Sequence, residues 1–186
     1  MSPLRCLLVA LGVALAFPAC AFDERDPFGF RRDTYTSDDD ESGKKEWAES
    51  EVPLPPYPEA QNLYSFYVSA TASSRFFVDT QNLDIGKDGV VRYSLMIVSP
   101  SGVKNVSYEG IRCETREKRT YALGRPNGEW SQARGAIWTK IRNETTNRQH
   151  AALFLDFFCP DGIIAGKVED VRKALQKEGE PFESSK

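Results

Sequence analysis

The sequence predicts an α+β domain: an antiparallel meander of four to five strands with C-terminal helices packed on it and one disulfide. Apolar residues recur at every second position through the middle of the chain, as in half-buried strands, and at helical spacing in its last third. Strands first and helices later is the order typical of α+β folds. The disulfide is predicted from the cysteines that remain once the N-terminal segment is removed.

The first 21 residues have the pattern of a secretory signal peptide. Arg5 precedes the apolar run 7–17, and residues 19–21 (Ala-Cys-Ala) have the small-x-small form of a cleavage site. The run is too short to span a bilayer, which takes roughly 18 apolar residues. We therefore expect a periplasmic or secreted protein with no membrane span. The alternative is a lipoprotein anchored through Cys20.

Cleavage after residue 21 removes Cys6 and Cys20 and leaves Cys113 and Cys159. In an oxidising compartment these two cysteines predict a disulfide. Closing a loop of about 46 residues stabilises a domain by roughly 4 kcal/mol in the chain-entropy account. Redox-active pairs are usually closely spaced, as in Cys-x-x-Cys, so a structural role is favoured.

The organisation expected along the chain is an acidic disordered leader at 22–46, a single domain at 47–179 and a frayed tail at 180–186. Segment 23–51 carries eleven acids and five bases, whereas the chain from Val52 onward carries 18 Lys and Arg against 16 Asp and Glu. A nucleic-acid-binding protein usually shows a much stronger basic footprint, so no nucleic-acid partner is expected.

A proline-rich stretch at 52–58 connects the leader to the domain. Proline fixes φ and favours extended backbone. We expect this stretch to lie along its own domain, with Trp47, Leu54 and Tyr57 as anchors. The alternative is that it binds a groove on a partner.

Strands are predicted at Leu63–Ala70, Arg75–Asp79, Val90–Val98, Val103–Glu114 and Arg119–Leu123. The sequence Ser-Pro-Ser-Gly at 99–102 is typical of a type I turn and predicts a hairpin. Two helices are predicted, at Arg148–Phe158 with Asn147 as the cap and at Val168–Lys177.

No set of residues has a catalytic signature. His150 is the single histidine, and without a visible nucleophile and orienting acid it is expected to cap or pack. Two thiols and one imidazole do not complete a zinc site. Asp79, Asp84 and Asp88 lack the spacing of a calcium loop, so Asx turns are the better interpretation. We expect no cofactor and no metal.

Residues 112–148 hold nine bases against four acids. Three interpretations stay open: an anion-binding surface, contacts with the acidic leader of the same molecule, or a solvated face, which we favour.

The candidate recognition surface is an edge formed by Arg92, Tyr108, Glu109 and Arg112. Tyr108 and Arg112 share one face of an extended strand. Arg92 lies on the neighbouring strand, close enough for Tyr108 or Glu109 to engage it. Gly110 predicts a bulge that re-aims the side chains. The alternative, which we favour, is that these residues only fix the register of the hairpin.

Several segments resemble the CNP-one-like family of small exported bacterial proteins. The most specific is Asn-Val-Ser-Tyr-Glu-Gly-Ile-Arg-Cys at 105–113, and the others are 51–58, 88–95, 121–124 and 147–160. The resemblance covers about residues 47–179. It implies a location in the bacterial cell envelope and transfers no catalytic residue.

The function expected from these observations is a non-catalytic binding or accessory protein, with another envelope protein as its partner. The alternatives are a small-ligand-binding module and a hydrolase with an unrecognised site. A deep polar pocket containing His150 with Asp156 or Glu109 would favour the enzyme. An apolar pocket of several hundred Å³ would favour a small ligand, and an exposed aromatic patch a partner surface.

Overall fold

The computed structural model describes residues 46–144 and 148–183. The signal peptide, nearly all of the leader and the cap at Asn147 lie outside the described residues. The strands are β1 Leu63–Ser65, β2 Arg75–Asp79, β3 Asp84–Ile85, β4 Val90–Val98, β5 Lys104–Arg112, β6 Glu117–Gly124, β7 Trp130–Gln132 and β8 Thr139–Lys140. The helices are α1 Arg148–Ala152, continued by a π-helical segment at Leu153–Phe158, and α2 Val168–Glu178. Short 3₁₀ helices lie at Ala60–Asn62 and Pro160–Gly162.

All eight strands belong to one antiparallel sheet in the order β1-β2-β4-β5-β6-β7, with β3 paired to β4 and β8 paired to β6. The prediction of four to five strands is therefore too low. Strands β3, β7 and β8 hold only two or three residues each, too few for alternation to show. The first predicted strand is also shorter than expected, since β1 ends at Ser65.

Strands β4 and β5 form a hairpin, as predicted, and the structure places it at the centre of the sheet. Its strands pair along their whole length, from Val90 opposite Arg112 to Val98 opposite Lys104. Gly102 ends the turn with φ +82° and donates its N–H to the Ser99 carbonyl at 2.9 Å. This left-handed backbone favours glycine.

The last third of the chain is helical, but the predicted helix at 148–158 is not uniform. After Ala152 the backbone widens into π geometry, and the Cys159 N–H bonds the Phe154 carbonyl at 2.8 Å. A π-helical segment is rare, and the spacing of its apolar residues does not distinguish it from an α-helix. The sequence therefore did not predict it. Helix α2 closely matches its prediction.

The sheet is covered on both faces. One face, called the helix face, packs against α1, the π-helical segment and α2 through a large apolar core that includes Val91, Leu95, Leu153, Phe158, Val171 and Leu175. The other face is crossed by residues 46–58, called the strap, and is called the strap face. Its smaller core contains Leu63, Phe77, Met96 and Val106, with Tyr57, Trp130 and Phe182 packed against it.

The predicted disulfide is confirmed. Cys113 directly follows β5 and Cys159 directly follows the π-helical segment, with their Cα atoms 5.5 Å apart. Both cysteines are buried in the helix-face core. The bond therefore joins the centre of the sheet to the helical layer.

Replacing both cysteines, Cys113→Ala with Cys159→Ala, is expected to lower the free energy of unfolding by about 4 kcal/mol, because the unfolded chain regains the entropy of a long open loop. Urea unfolding of the mature protein measures this. Thiol labelling of denatured, unreduced protein is the control and is expected to find no free thiol. Two labelled thiols per mature chain would contradict the pairing.

Candidate functional site

The strap lies along its own domain and is held near both ends by aromatic side chains. The Trp47 indole N–H donates to the Asp88 carbonyl at 2.8 Å, and the Trp130 indole N–H donates to the Pro55 carbonyl at 2.8 Å. The Tyr57 ring lies 5.2 Å from that of Trp130. Two of the three predicted anchors are thus in contact with the domain. Leu54 is the exception, being exposed.

Strand β6 has a bulge at one tyrosine that faces the strap. Tyr108 pairs with Ala122 and Glu109 pairs with Thr120, so that Tyr121 has no partner on β5. Its phenol ring lies over Gly110, where a Cβ atom would sit 2.5 Å from the Tyr121 hydroxyl. The sequence predicts a bulge near Gly110, and the structure places the extra residue on the neighbouring strand. Gly110 provides the space that Tyr121 fills.

The same row of the sheet brings two arginines together. Gly110 lies opposite Arg92 on one side and opposite Arg119 on the other. Since facing residues of paired strands point to the same face, both guanidinium groups lie on the strap face, with Tyr121 between them. The two guanidinium carbons are 5.9 and 5.7 Å from the Tyr121 ring centre.

Arg92 is neutralised by Asp88 from the turn before β4. The Asp88 carboxylate accepts from Nη1 at 3.1 Å and from Nη2 at 2.5 Å, and the two side chains are 2% and 1% exposed. It also accepts the Ser50 N–H at 2.8 Å. Burial acts to raise the pKa of Asp88, but the hydrogen bonds from Arg92 and Ser50 outweigh it and lower the pKa to about 2.

The strap inserts a second carboxylate, that of Glu49, between Arg119 and Tyr121. Arg119 Nη1 and the Tyr121 hydroxyl each donate to it at 2.5 Å. The Trp138 indole N–H donates at 3.2 Å, and Arg92 Nη2 lies 3.8 Å away. Burial and the contact with Glu49 raise the pKa of the Tyr121 hydroxyl, which therefore stays a proton donor. These four groups, Arg92, Arg119, Tyr121 and Trp138, are called the carboxylate cradle.

An open groove of about 820 Å³ runs beside the cradle and is called the strap groove. Residues 49–54 of the strap form one wall, and Gln132, Ala133 and Ala136 form the other. The floor consists of Arg92, Tyr108, Arg119 and Tyr121. Burial raises the pKa of Tyr108 to about 12, so this phenol also stays neutral. Of these floor residues, Arg119 has a side chain that is 32% exposed, whereas Arg92 and Tyr108 are buried.

The predicted recognition residues are split between the two faces. Arg92 and Tyr108 line the strap groove. Arg112 lies on the same face, with its guanidinium 3.9 Å from the Trp47 ring centre and Nη2 2.5 Å from Glu114. Glu109 faces the helices instead, because it pairs with Tyr93 of the helix-face core. The expected contact between Glu109 and Arg92 is therefore wrong, and β5 is an inner strand rather than an edge.

Glu109 belongs to a buried polar cluster under the helices. Its carboxylate lies 2.7 Å from His150 Nε2 and accepts from the Tyr93 hydroxyl at 3.1 Å and the Ser107 hydroxyl at 2.7 Å. Burial acts to raise the pKa of Glu109, but the contacts with His150 and Ser107 hold it at about 2. His150 is 3% exposed. The cluster therefore ties α1 to β5 from within the core.

Sequence reasoning missed four of the residues that build the site: Glu49, Asp88 in its pairing role, Tyr121 and Trp138. Glu49 is one of the eleven acids of segment 23–51, and nothing in the sequence distinguishes it from the others. Tyr121 shares the strap face with Arg119 by alternation along β6, but alternation does not show which residue its hydroxyl contacts. A signal was present at Gly110, since a glycine inside a strand often marks a close approach by another group. The registers of β4, β5 and β6 were needed to say which group.

Within residues 46–144 and 148–183, no group of three His, Cys, Asp or Glu side chains is placed to hold a metal ion. Asp79 instead closes an Asx turn, as predicted, accepting the Gln81 N–H at 2.9 Å. In the part of the chain that the structure describes, no helix combines the length and apolarity needed to cross a bilayer.

Comparison with known proteins links the chain to a family without an assigned activity. The model of the CNP1-like family matches residues 42–176. Over 191 aligned positions the chain is 27% identical to "Cryptic neisserial protein 1" of Neisseria gonorrhoeae, an alignment that covers 93% of this chain and 91% of the relative. No solved structure matches significantly.

Asp88→Asn is expected to flatten the acid side of the stability profile. The pKa of Asp88 is about 2 when folded and 3.8 in its ordinary state, so the unfolded chain takes up the proton first as the pH falls. The wild type therefore loses stability between about pH 4 and pH 2. The variant loses less stability in this range, and the loss that remains comes from Glu109, whose pKa is also about 2. At neutral pH the variant is less stable by about 3 kcal/mol, because the buried Arg92 loses the carboxylate that it contacts through both Nη atoms and is left with Glu49 at 3.8 Å.

Urea unfolding over a pH series measures both effects. Asp156→Asn, at an exposed position, is the matched control and is expected to follow the wild type. A variant profile parallel to the wild-type profile below pH 4 would contradict the assignment.

Gly110→Ala is expected to lower the free energy of unfolding by about 1–3 kcal/mol, because the new methyl group overlaps Tyr121 and must displace it. Combining it with Tyr121→Leu gives a double-mutant cycle. The combined cost is expected to be smaller than the sum of the two single costs, since Tyr121→Leu removes the phenol with which the new methyl group at position 110 collides. Strictly additive costs in urea unfolding would contradict the packing described.

Proposed function

The chain belongs to the CNP1-like family, and on this premise we propose that it is an exported, non-catalytic binding protein of the bacterial cell envelope. The apolar run at 7–17 and the pairing of Cys113 with Cys159 support export, because disulfides persist mainly in oxidising compartments. A periplasmic or secreted location is the primary form of this proposal. Anchoring through Cys20 is the alternative form.

The observation that carries the binding role is the composition of the strap groove. Its floor is built from two arginines and two tyrosines, the residue types that most often dominate binding energy at protein interfaces. Arg92 and Tyr108 are buried, at 1% and 3% exposure, so they hold the neighbouring side chains of the floor in place and have little surface of their own for a partner. Arg119 has a side chain that is 32% exposed and therefore reachable. We propose that the partner is another envelope protein.

A hydrolytic role draws less support from the geometry. The sole histidine contacts Glu109, the pairing that an acid–base mechanism would use. Both residues are enclosed, however, at 3% and 5% exposure, and neither lines a described groove or cavity. Their contacts with Tyr93 and Ser107 join elements of the fold. The pair is better explained as the packing histidine and its partner.

A second candidate function is binding of a small apolar ligand. A cavity of about 690 Å³ lies at the other end of the strap face. Its lining includes the apolar side chains Leu63, Met96, Val103, Val106 and Phe182. Its size falls within the range of small-molecule sites. Lys104 lies over the Phe182 ring at 5.0 Å and supplies a cation at the rim.

Site-specific photo-crosslinking in living cells separates these candidates. A photoreactive residue replaces Gln132 in the strap groove, Val103 at the second cavity or Glu169 on α2 as the remote control. Protein adducts are expected from Gln132 and not from Glu169. Adding Arg119→Gln is expected to reduce the Gln132 adduct about tenfold at an unchanged melting temperature, since arginine is a frequent hot spot.

Adducts from Val103 alone would transfer the proposal to the second cavity. Equal adducts from Gln132 and Glu169, unaffected by Arg119→Gln, would contradict a recognition role for the groove.

A further inference from the structure

The carboxylate cradle is complete without the strap. Every donor to the Glu49 carboxylate comes from elsewhere in the chain: Arg119 and Tyr121 from β6, and Trp138 from the residue before β8. Arg92 of β4 adds positive charge at 3.8 Å. Two N–H donors, one hydroxyl and a second guanidinium thus converge on one point. This is the donor set that binds a carboxylate by charge-assisted hydrogen bonds.

We propose that the cradle is a recognition site for carboxylate side chains of a partner peptide and that Glu49 is an internal stand-in which the partner replaces. This rests on the proposed role of the strap groove as the binding surface. It adds the chemical class of the partner, an acidic extended segment, and a mechanism by which the free protein keeps the site occupied.

Charge balance limits the cradle to one carboxylate at a time. Arg92 is already matched by the bidentate contact with Asp88. Arg119 faces Glu49 as its close acidic partner, at 2.5 Å. A second carboxylate beside Glu49 would meet like charge at short distance, which is unfavourable. A partner carboxylate must therefore displace Glu49 rather than join it.

Displacement requires movement of one side chain and not of the whole strap. The backbone at Ser50 is pinned, because its N–H bonds Asp88 at 2.8 Å and its carbonyl accepts from Arg92 at 3.2 Å. Glu49 has a side chain that is 17% exposed and borders the open groove. Its carboxylate can rotate into water while the incoming carboxylate takes over the same donors. The exchange leaves the number of buried hydrogen bonds unchanged.

The shape of the groove favours a peptide over a small carboxylate. Its strap wall consists of six consecutive residues without helix or strand, which span at most about 20 Å when extended. A volume of about 820 Å³ greatly exceeds one carboxylate group. The half-buried Tyr121 supplies apolar surface along the floor for the stems of neighbouring side chains.

Binding of fluorescein-labelled hexaglutamate to the mature protein, followed by anisotropy at low salt, tests the proposal. Glu49→Gln is expected to tighten binding about tenfold, because the internal competitor loses its charge. Glu46→Gln is the matched control, since it removes the same charge from the strap at an exposed position that does not line the groove. It is expected to change affinity less than about twofold, as an exposed charge is screened.

Arg119→Gln in the Glu49→Gln background is expected to weaken binding about tenfold, because the incoming carboxylate loses its charged donor. Labelled hexaglutamine is the uncharged control probe and is expected not to bind. Thermal unfolding of each variant confirms that it is folded.

Equal tightening by Glu49→Gln and Glu46→Gln would overturn the proposal, since the effect would then come from the net charge of the protein and not from the cradle. So would equal binding of hexaglutamine, or failure of every variant to bind hexaglutamate. That last result would not affect the crosslinking from Gln132. It would reject the acidic class of partner and leave the proposed binding role of the groove standing.

Discussion

The buried pair of Asp88 and Arg92 is the interaction on which the strap face depends. A guanidinium that is 1% exposed is tolerated only when an opposite charge and good hydrogen bonds compensate the loss of water. Asp88 supplies both, and its remaining capacity accepts the Ser50 N–H. The carboxylate of Asp88, in the turn between β3 and β4, therefore neutralises the Arg92 guanidinium. The same carboxylate holds the strap backbone at Ser50.

Coverage of both faces explains why the strap belongs to the fold. Seven of the nine residues of β4 are buried, which requires a layer on each side of the sheet. The helices supply one layer through aliphatic and aromatic packing. The strap has no helix or strand and is held instead by hydrogen bonds in which tryptophan side chains donate. All three tryptophans of the chain contribute, with Trp47 bonding Asp88, Trp130 bonding Pro55 and Trp138 bonding Glu49.

The long elements could be predicted from sequence because each satisfies its own period. Strand β4 alternates over nine residues and helix α2 repeats its apolar positions over three turns. The two-residue strands β3 and β8 carry no such pattern and exist through pairing alone. The disulfide followed from counting the cysteines that remain in a chain expected to be exported. The periodicity of apolar residues and the cysteine count thus predicted the long elements and the disulfide, but not the short strands.

The site was harder to predict because it depends on registers between strands. The grouping of Arg92 with Tyr108 and Arg112 follows from alternation along β5 and its pairing with β4. Glu109 was grouped with them wrongly, since adjacent residues of a strand point to opposite faces. Arg119 was visible only as one base among nine. Its place beside Arg92 follows from the shared partner Gly110, which no single segment reveals.

The uneven distribution of charge along the chain brings an acidic and a basic segment into contact at the carboxylate cradle. Of the three interpretations open for the basic stretch 112–148, contact with acids of the same molecule holds for Arg119, whose partner Glu49 lies in the acidic segment 23–51. The two regions are complementary where they meet, so the fold shields its own guanidinium from solvent. A site that holds the carboxylate of Glu49 from an extended segment has the donors to hold a partner's carboxylate in its place. Occupancy then depends on competition between Glu49 and the carboxylates of a partner.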